Sequence, residues 1–189
     1  MVGKHHFQKH DLWWLIGYPM YQLLGTLRHE GCHALVALAE GAQITHFVIW
    51  PTTQRGHVYF GYTAWSGHTD WLPIAAPFLG DLLTYLCLWF LCTQVGFKRH
   101  WVWTNLVILR LISPLLNSGY GYGLAVLRGG NDIAWLNQML PPPVVHGYLI
   151  LTLLLYLTGL IVLLPFPGGW PPLHRGAPAK RVFSETRRQ

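Results

Sequence analysis

The chain has 189 residues, of which 52% are hydrophobic and only 11% are charged, and its mean hydropathy is +0.30. Charged residues usually make up about a quarter of a soluble domain. The composition therefore argues against an ordinary soluble protein and predicts an integral membrane protein. The three cysteines lie in apolar segments without a CxxC spacing, which indicates neither a disulfide framework nor a cysteine zinc site.

The formal net charge of +6 does not indicate nucleic-acid binding, because the basic residues are distributed around the apolar segments. Outside those segments they precede the first one, lie between the second and third, and follow the fourth. Only Arg55 and Arg128 fall on the two opposite loops. This is the positive-inside pattern. We therefore expect a multi-pass protein in a lipid bilayer, with both termini in the cytoplasm and no nucleic-acid partner.

The apolar segments predict an all-α membrane protein with about four transmembrane helices. A helix needs about 20 residues to cross a hydrocarbon core. The four candidate segments cover residues 12–38, 71–95, 101–117 and 144–164. The chain then divides into a basic N-terminal segment at 1–11, a transmembrane domain at 12–164 and a basic, proline-rich tail at 165–189.

Two local signals modify the first half of this scheme. Pro19 lies inside the first segment and predicts a kink or a break near residues 17–19. After Gly41 the sequence "AQITHFVIWPTTQRGHVYFGYT" is rich in β-branched and aromatic residues around "PTTQRG". This pattern predicts a short β-hairpin after the first helix. Such a hairpin can lie at membrane depth only where protein or a water-filled cavity satisfies its backbone.

The stretch between the third and fourth segments reads "NSGYGYGLAVLRGGNDIAWLNQMLPPP". Its glycines argue against one continuous helix over this stretch, and residues 119–123 are predicted to form a flexible aromatic loop. Asn131 or Asp132 is placed to cap a short helix that runs to Met139, and the following prolines end it.

The stretch "LRHEGCHALVALAEG" at residues 27–41 places three ionisable side chains in an apolar helix. His29 and His33 are four residues apart and project from one face, so that both imidazoles can bind one ion, with Glu30 beside them as a general base. HExxH on a helix is the zinc-hydrolase pattern. Ionisable groups at membrane depth are costly and usually mark a functional cavity. The alternative is that the histidines only hydrogen-bond neighbouring helices.

A catalytic zinc ion needs a third protein ligand. Among the few acidic residues we favour Asp132, in the glycine-rich "RGGND", and keep Asp81 as the alternative. Asp81 has another explanation, because the predicted topology places it near the depth of Arg110. The two could form an ion pair within the membrane.

These residues resemble the site-2 protease family of intramembrane zinc metalloproteases. The resemblance covers residues 23–136 and consists of HExxH on an apolar helix, a "G-x-x-I-x-x-F-x-I-x-P…G-x-V" hairpin, "IAAPFLGDLL" and a downstream Asn and Asp. The hairpin pattern is carried by Gly41, Ile44, Phe47, Ile49, Pro51, Gly56 and Val58.

The resemblance implies a metalloprotease-like domain at 12–164 that binds Zn²⁺ through His29, His33 and an aspartate. It implies Glu30 as the catalytic base and a transmembrane peptide as the substrate. In that family the hairpin lies partly in the membrane and helps to present substrate. The substrate-binding residues that we predict are Ile44, Phe47, Ile49, Val58 and Asn117.

Two features depart from the family pattern. The family's third ligand usually lies in "LDG" after "NxxP", whereas the nearest equivalents here are Asn117 and "GGND". The family's active site is commonly near the cytoplasmic face, whereas the charge distribution places the end of the first segment outside. The rival function is a non-catalytic, protease-like subunit that packs against neighbouring membrane subunits, which suits the chain's small size and lack of a visible PDZ domain. Haem and transport roles are further alternatives.

Overall fold

The computed structural model describes residues 9–54, 57–94, 99–127, 129 and 131–163. This part of the chain is mostly helical. Its α-helices are α1 (Trp14–Ala39), α2 (Leu72–Gln94), α3 (His100–Val107), α4 (Ser113–Leu127), α5 (Asp132–Met139) and α6 (Pro142–Leu163). Its strands are β1 (Gln43–Val48), β2 (Thr52–Gln54), β3 (His57–Tyr59) and β4 (Tyr62–Ser66). The predicted tail at 165–189 and most of the N-terminal segment at 1–11 lie outside the described residues.

The first helix is longer than a single membrane crossing requires and is continuous through Pro19. The break that we considered there does not occur, because a proline removes only one backbone hydrogen bond from a long helix. The helix ends at Ala39, and Gly41, just after the C-cap residue Glu40, has φ of 88°. The amides of Gly41 and Ala42 donate to the carbonyls of Leu38 and Ala37, both at 3.0 Å. This is a Schellman ending, and it turns the chain directly into β1.

The predicted β-hairpin is present and consists of two nested antiparallel pairs. β2 pairs with β3 in the inner pair, and β1 pairs with β4 in the outer pair. The outer pair extends from Gln43 opposite Ser66 to Val48 opposite Tyr62. The hairpin therefore continues a few residues beyond the predicted segment, and its last strand lies against α1.

The third apolar segment is continued by α4 through glycines that we expected to interrupt it. Between α3 and α4 the backbone forms one π-helical turn, Ile108–Ile112. The loop predicted at residues 119–123 does not form, because these residues continue α4. The whole stretch is nevertheless not one helix, since α4 ends at Leu127 and α5 begins at Asp132. A Cβ on Gly119 would lie 3.8 Å from Leu153, and one on Gly121 would lie 3.6 Å from Ile133. Both distances are ordinary van der Waals contacts, so a continuous helix at these positions packs against α5 and α6 without strain.

The short helix predicted to begin at Asn131 or Asp132 is confirmed as α5. The side chain of Asn131 accepts a hydrogen bond of 3.1 Å from the amide of Ala134, which makes Asn131 the N-cap. α5 ends at Met139, and α6 begins at Pro142, a favourable first helical residue for proline.

Two apolar clusters fix the helices. The first joins α2, α5 and α6 through Ala75, Phe78, Ile133, Leu136, Val145 and Leu149. The second joins α2, α3, the π-helical turn and α6 through Tyr85, Trp103, Val107, Leu111 and Tyr156. Because α5 is held between α2 and α6, its first turn is directed at α1, where the HExxH residues lie.

Two of the described helices are long and apolar enough to cross a membrane. These are residues Leu72–Cys92 of α2 and Pro142–Val162 of α6. The structure thus supports a mostly helical protein with two candidate spans and a small antiparallel hairpin. Membrane crossing by the first and third predicted segments stays a prediction.

Candidate metal centre

His29 and His33 lie one turn apart on α1 and face the same cleft. Their ring centroids are 4.9 Å apart. His33 is buried and His29 is half-buried. The helical spacing therefore brings the two imidazoles together, as the sequence predicted.

Asp132 meets both histidines from the first turn of α5. Its Oδ2 atom lies 3.1 Å from His29 Nε2 and 3.4 Å from His33 Nε2. The nearest ligand atoms of the three residues lie within 4.8 Å of one another, so this group could hold a metal ion. Burial alone would raise the pKa of the Asp132 carboxyl. Hydrogen bonds and charge interactions with His29 and His33 outweigh this effect and hold the pKa below its ordinary value.

His33 is oriented by a backbone carbonyl at the start of α2. His33 Nδ1 lies 2.7 Å from the oxygen of Pro73. A carbonyl oxygen only accepts, so His33 Nδ1 carries the proton and Nε2, which faces Asp132, keeps its lone pair. This is the usual outer-shell support of a metal-binding imidazole.

His29 has a polar partner on the side away from Asp132. The amide nitrogen of Asn117 lies 3.3 Å from His29 Nδ1 and 3.1 Å from Asp81 Oδ2. Asn117 on α4 therefore connects the candidate metal centre to a buried carboxylate on α2. Asn117 also lines the cleft beside the histidines, and substrate binding by this residue stays a prediction.

Asp81 is connected to the candidate metal centre through Asn117. The ion pair that we predicted between Asp81 and Arg110 was wrong. The Asp81 carboxylate is almost fully buried, with Oδ1 2.5 Å from Arg28 Nη2. Arg110, the partner that we expected, lies instead with its guanidinium 4.9 Å from the centre of the Trp89 ring. The predicted topology placed Asp81 and Arg110 at a similar depth in the membrane, but the sequence does not reveal which helix faces contact each other. Asp81 is not among the residues that converge as a possible metal-binding group within the described chain.

Glu30 lies beside the histidines and is buried. Its carboxylate accepts a hydrogen bond of 2.9 Å from the hydroxyl of Thr63 on β4. The same hydroxyl lies 3.1 Å from the backbone oxygen of Glu30. The hairpin therefore contacts the HExxH motif directly.

These groups open into a cleft of about 570 Å³. Its walls come from α1, the β3–β4 connection, β4, α4 and the first turn of α5, and they are rich in aromatic side chains. The aromatic lining residues are Tyr18, Tyr59, Phe60, Tyr62, Trp65, Tyr120 and Trp135. Phe60 and Tyr120 form an edge-to-face pair across it, with centroids 6.4 Å apart. The cleft is large enough for a short peptide segment.

The cleft lining does not include the predicted substrate residues Ile44, Phe47 and Ile49. They lie on or next to β1, whereas β4 lies between β1 and the cleft's polar residues. Val58 lies on β3, and its side chain is outside the described ones. Substrate binding by these four residues stays a prediction.

Sequence reasoning missed three contributors to the centre: Arg28, Pro73 and Thr63. Pro73 acts through a backbone oxygen, which no side-chain pattern reveals. Thr63 carried one weak signal, since it alternates with Gly61 and Trp65 in a segment of strand character.

Comparisons of the chain with protein-family models, with curated proteins and with solved structures gave no match.

Proposed function

We propose that this protein is an intramembrane zinc metalloprotease that hydrolyses peptide bonds of membrane-spanning substrates. One observation carries the proposal: His29, His33 and Asp132 converge next to Glu30 in an open cleft. Two imidazoles, a carboxylate and a neighbouring general base form the donor set of zinc hydrolases.

Two of the three donor separations are compatible with zinc. Zinc–nitrogen and zinc–oxygen bonds are about 2.0–2.2 Å long, so the edge of a tetrahedral site is roughly 3.3–3.5 Å. The separations of Asp132 Oδ2 from His29 Nε2 and His33 Nε2, 3.1 and 3.4 Å, are close to this edge. A bound zinc ion would acidify a water molecule and polarise the scissile carbonyl.

The chain's own residues supply the remaining chemistry. Glu30 accepts the proton of the attacking water and donates it to the leaving amine, the usual division of labour for a general base that then acts as an acid. Its burial beside the histidines keeps it near the reacting atoms. Asp132 and the two histidines hold the metal from two helices, α1 and α5.

The cleft supports an extended peptide as the substrate. A helix hides its peptide bonds in internal hydrogen bonds, so a substrate must unwind before it can be cut. β4 has a paired neighbour only in β1 among the described strands, and its residues line the cleft. An unwound segment can therefore satisfy its backbone by pairing with the hairpin.

The membrane setting is supported by the exposed residues of α2 and α6. Leu83 is 61% exposed and Leu151 is 68% exposed. On a helix long enough to span the bilayer, such side chains face lipid tails. The rival function is that of a non-catalytic subunit. Such a subunit needs no access for water or substrate to the histidines, so the open cleft of about 570 Å³ favours the enzyme.

The proposal is tested with purified protein in liposomes that contain a membrane-spanning reporter. We expect wild type to cleave it and Glu30→Gln to retain zinc but lose activity by about 10²–10⁴-fold, because the amide cannot accept the proton. Glu40→Gln is the matched control, since Glu40 lies at the end of the same helix and contacts the amide of Asp70. Full activity in Glu30→Gln would rule out this mechanism, and an inactive wild type across many reporters would favour the subunit.

A further inference from the structure

We propose that Thr63 is a positioning residue that holds the Glu30 carboxylate, so that the hairpin completes the catalytic centre as well as lining the cleft. This inference rests on the proposed function of Glu30 as general base. Thr63 lies on β4, outside the HExxH motif and outside the hairpin residues that sequence analysis selected.

The inference starts from the way β4 runs alongside α1. Residues two apart on a strand face one side and are about 6.6–6.8 Å apart, and one helical turn rises 5.4 Å, so over a short length alternate strand residues can contact successive helical turns. On β4, Thr63 contacts Glu30, and Trp65 lies against His33 with ring centroids 6.0 Å apart. One face of β4 thus follows the buried face of α1 over successive turns.

Gly61, directly before β4, extends this contact toward the start of α1. A Cβ at Gly61 would overlap Thr26 Cγ2 and would lie 2.7 Å from the oxygen of Val48 and 3.1 Å from Glu30 Cγ. Only glycine allows the backbone to approach so closely. The close packing at Gly61 fixes the position of Thr63 two residues later.

The chemistry of the Thr63 hydroxyl sets the orientation of the base. A hydroxyl has one proton, which here is directed at Glu30 Oε2 at 2.9 Å and at the Glu30 backbone oxygen at 3.1 Å. A hydrogen bond to an ionised carboxylate is the stronger of the two kinds. Held by Oε2, the carboxylate keeps its other oxygen free to accept a proton.

The first arm of the test measures cleavage. Thr63→Val should lower kcat by roughly 10- to 100-fold, the effect of a misplaced catalytic group, with zinc content unchanged and KM within a factor of about two. Thr63→Ser keeps the hydroxyl and should restore most of the rate. Thr84→Val is the matched control, because the Thr84 hydroxyl bonds only the Gly80 backbone at 2.7 Å. A Thr63→Val variant with wild-type kcat, or a Thr63→Ser variant as slow as Thr63→Val, would overturn the proposal.

The second arm does not depend on activity. The midpoint of unfolding in a denaturing detergent is compared for wild type, Thr63→Val, Glu30→Met and the double variant. If the hydroxyl holds the carboxylate, Thr63→Val lowers the midpoint less in the Glu30→Met background, where only the backbone oxygen remains as acceptor. Equal shifts in both backgrounds would mean that Thr63 serves the backbone alone, and the proposal would fail.

The two arms separate this inference from the proposed function. If wild type cleaves and the double-variant cycle shows coupling, both stand. If wild type cleaves and the cycle shows no coupling, only the role of Thr63 is overturned. If wild type cleaves no reporter, the proposed function fails, and with it Thr63's part in catalysis, whatever the cycle shows about the contact.

Discussion

Asp132 Oδ2 lies 3.1 Å from His29 Nε2, although 103 residues separate the two along the chain. The contact exists because α5 packs between α2 and α6 and directs its first turn at α1. Asn131 caps that turn and fixes where Asp132 begins the helix. The candidate metal centre is therefore assembled by tertiary packing from a local motif on α1 and a single carboxylate on α5.

The first prediction concerns the metal ligands. We expect about one zinc ion per chain in wild type, and His33→Ala or Asp132→Ala should weaken binding by more than about 100-fold. Loss of an outer-shell partner alone costs roughly 10–100-fold, and loss of a ligand costs more. Zinc content by mass spectrometry after dialysis checks this. His68→Ala is the control, because His68 is exposed and lies outside the cleft. Stoichiometric zinc in His33→Ala would remove that residue from the site.

The second prediction concerns the ion pair behind the centre. Asp81→Ala leaves the Arg28 guanidinium without its carboxylate, and breaking a buried pair in this way costs about 3–5 kcal/mol. We expect a lower unfolding midpoint in detergent. Replacing Arg28 by Leu in the same background should recover most of the loss, because the stranded charge is removed.

The control for this rescue is Arg110→Leu in the Asp81→Ala background. Arg110 packs over Trp89 and does not contact Asp81, so this change should give no recovery. Recovery by Arg110→Leu would instead support the ion pair that the sequence suggested. If Asp81→Ala loses zinc while its stability is unchanged, Asp81 is the third ligand.

The third prediction concerns Asn117. Asn117→Ala removes the partner that orients His29 and connects it to Asp81. If zinc binds His29 Nε2, Nδ1 carries the proton, and the Asn117 amide has to present its oxygen to accept it. Loss of that acceptor should lower zinc affinity by roughly 10–100-fold. A competitive zinc titration measures this. Asn105→Ala serves for comparison, since Asn105 bonds Tyr21 away from the centre. Equal affinities in the two variants would show that Asn117 does not support the site.

The fourth prediction concerns Gly61. Gly61→Ala places a methyl group against Thr26 and the Val48 carbonyl. Such overpacking costs about 1–3 kcal/mol. Cleavage should fall as β4 moves away from α1, and zinc should be retained. Gly147→Ala is the control, because no atom lies within 4 Å of a Cβ there. Normal cleavage and normal stability in Gly61→Ala would show that the close packing of Gly61 against α1 is not required.

Local signals were sufficient for several parts of the structure. HExxH spacing predicted the paired histidines, the Asn131–Asp132 sequence predicted α5, and the β-branched segment after Gly41 predicted the hairpin. Each depends on residues that are neighbours along the chain. Asp132 was selected as the partner of His29 from a short inventory of acidic residues, which a chain with only 7 Asp and Glu residues makes possible.

Features that depend on helix contacts were not predictable in this way. Depth along a span placed Asp81 level with Arg110, but the rotation of α1 and α2 brings it to Arg28. The glycines of α4 were interpreted as helix breakers, whereas Gly119 and Gly121 are helical and pack beside Leu153 and Ile133. The contact of Thr63 with Glu30 depends on how the hairpin folds back onto α1.

The central claim is tested most directly by locating the cut that zinc-loaded wild type makes in a membrane-spanning reporter in liposomes. Mass spectrometry of the products gives the position of the cleaved bond. We predict a cut within the hydrophobic segment, with both products absent when Glu30→Gln replaces wild type. Products from the Glu30→Gln protein, or an intact reporter with zinc-loaded wild type across a panel of sequences, would contradict the assignment as an intramembrane protease.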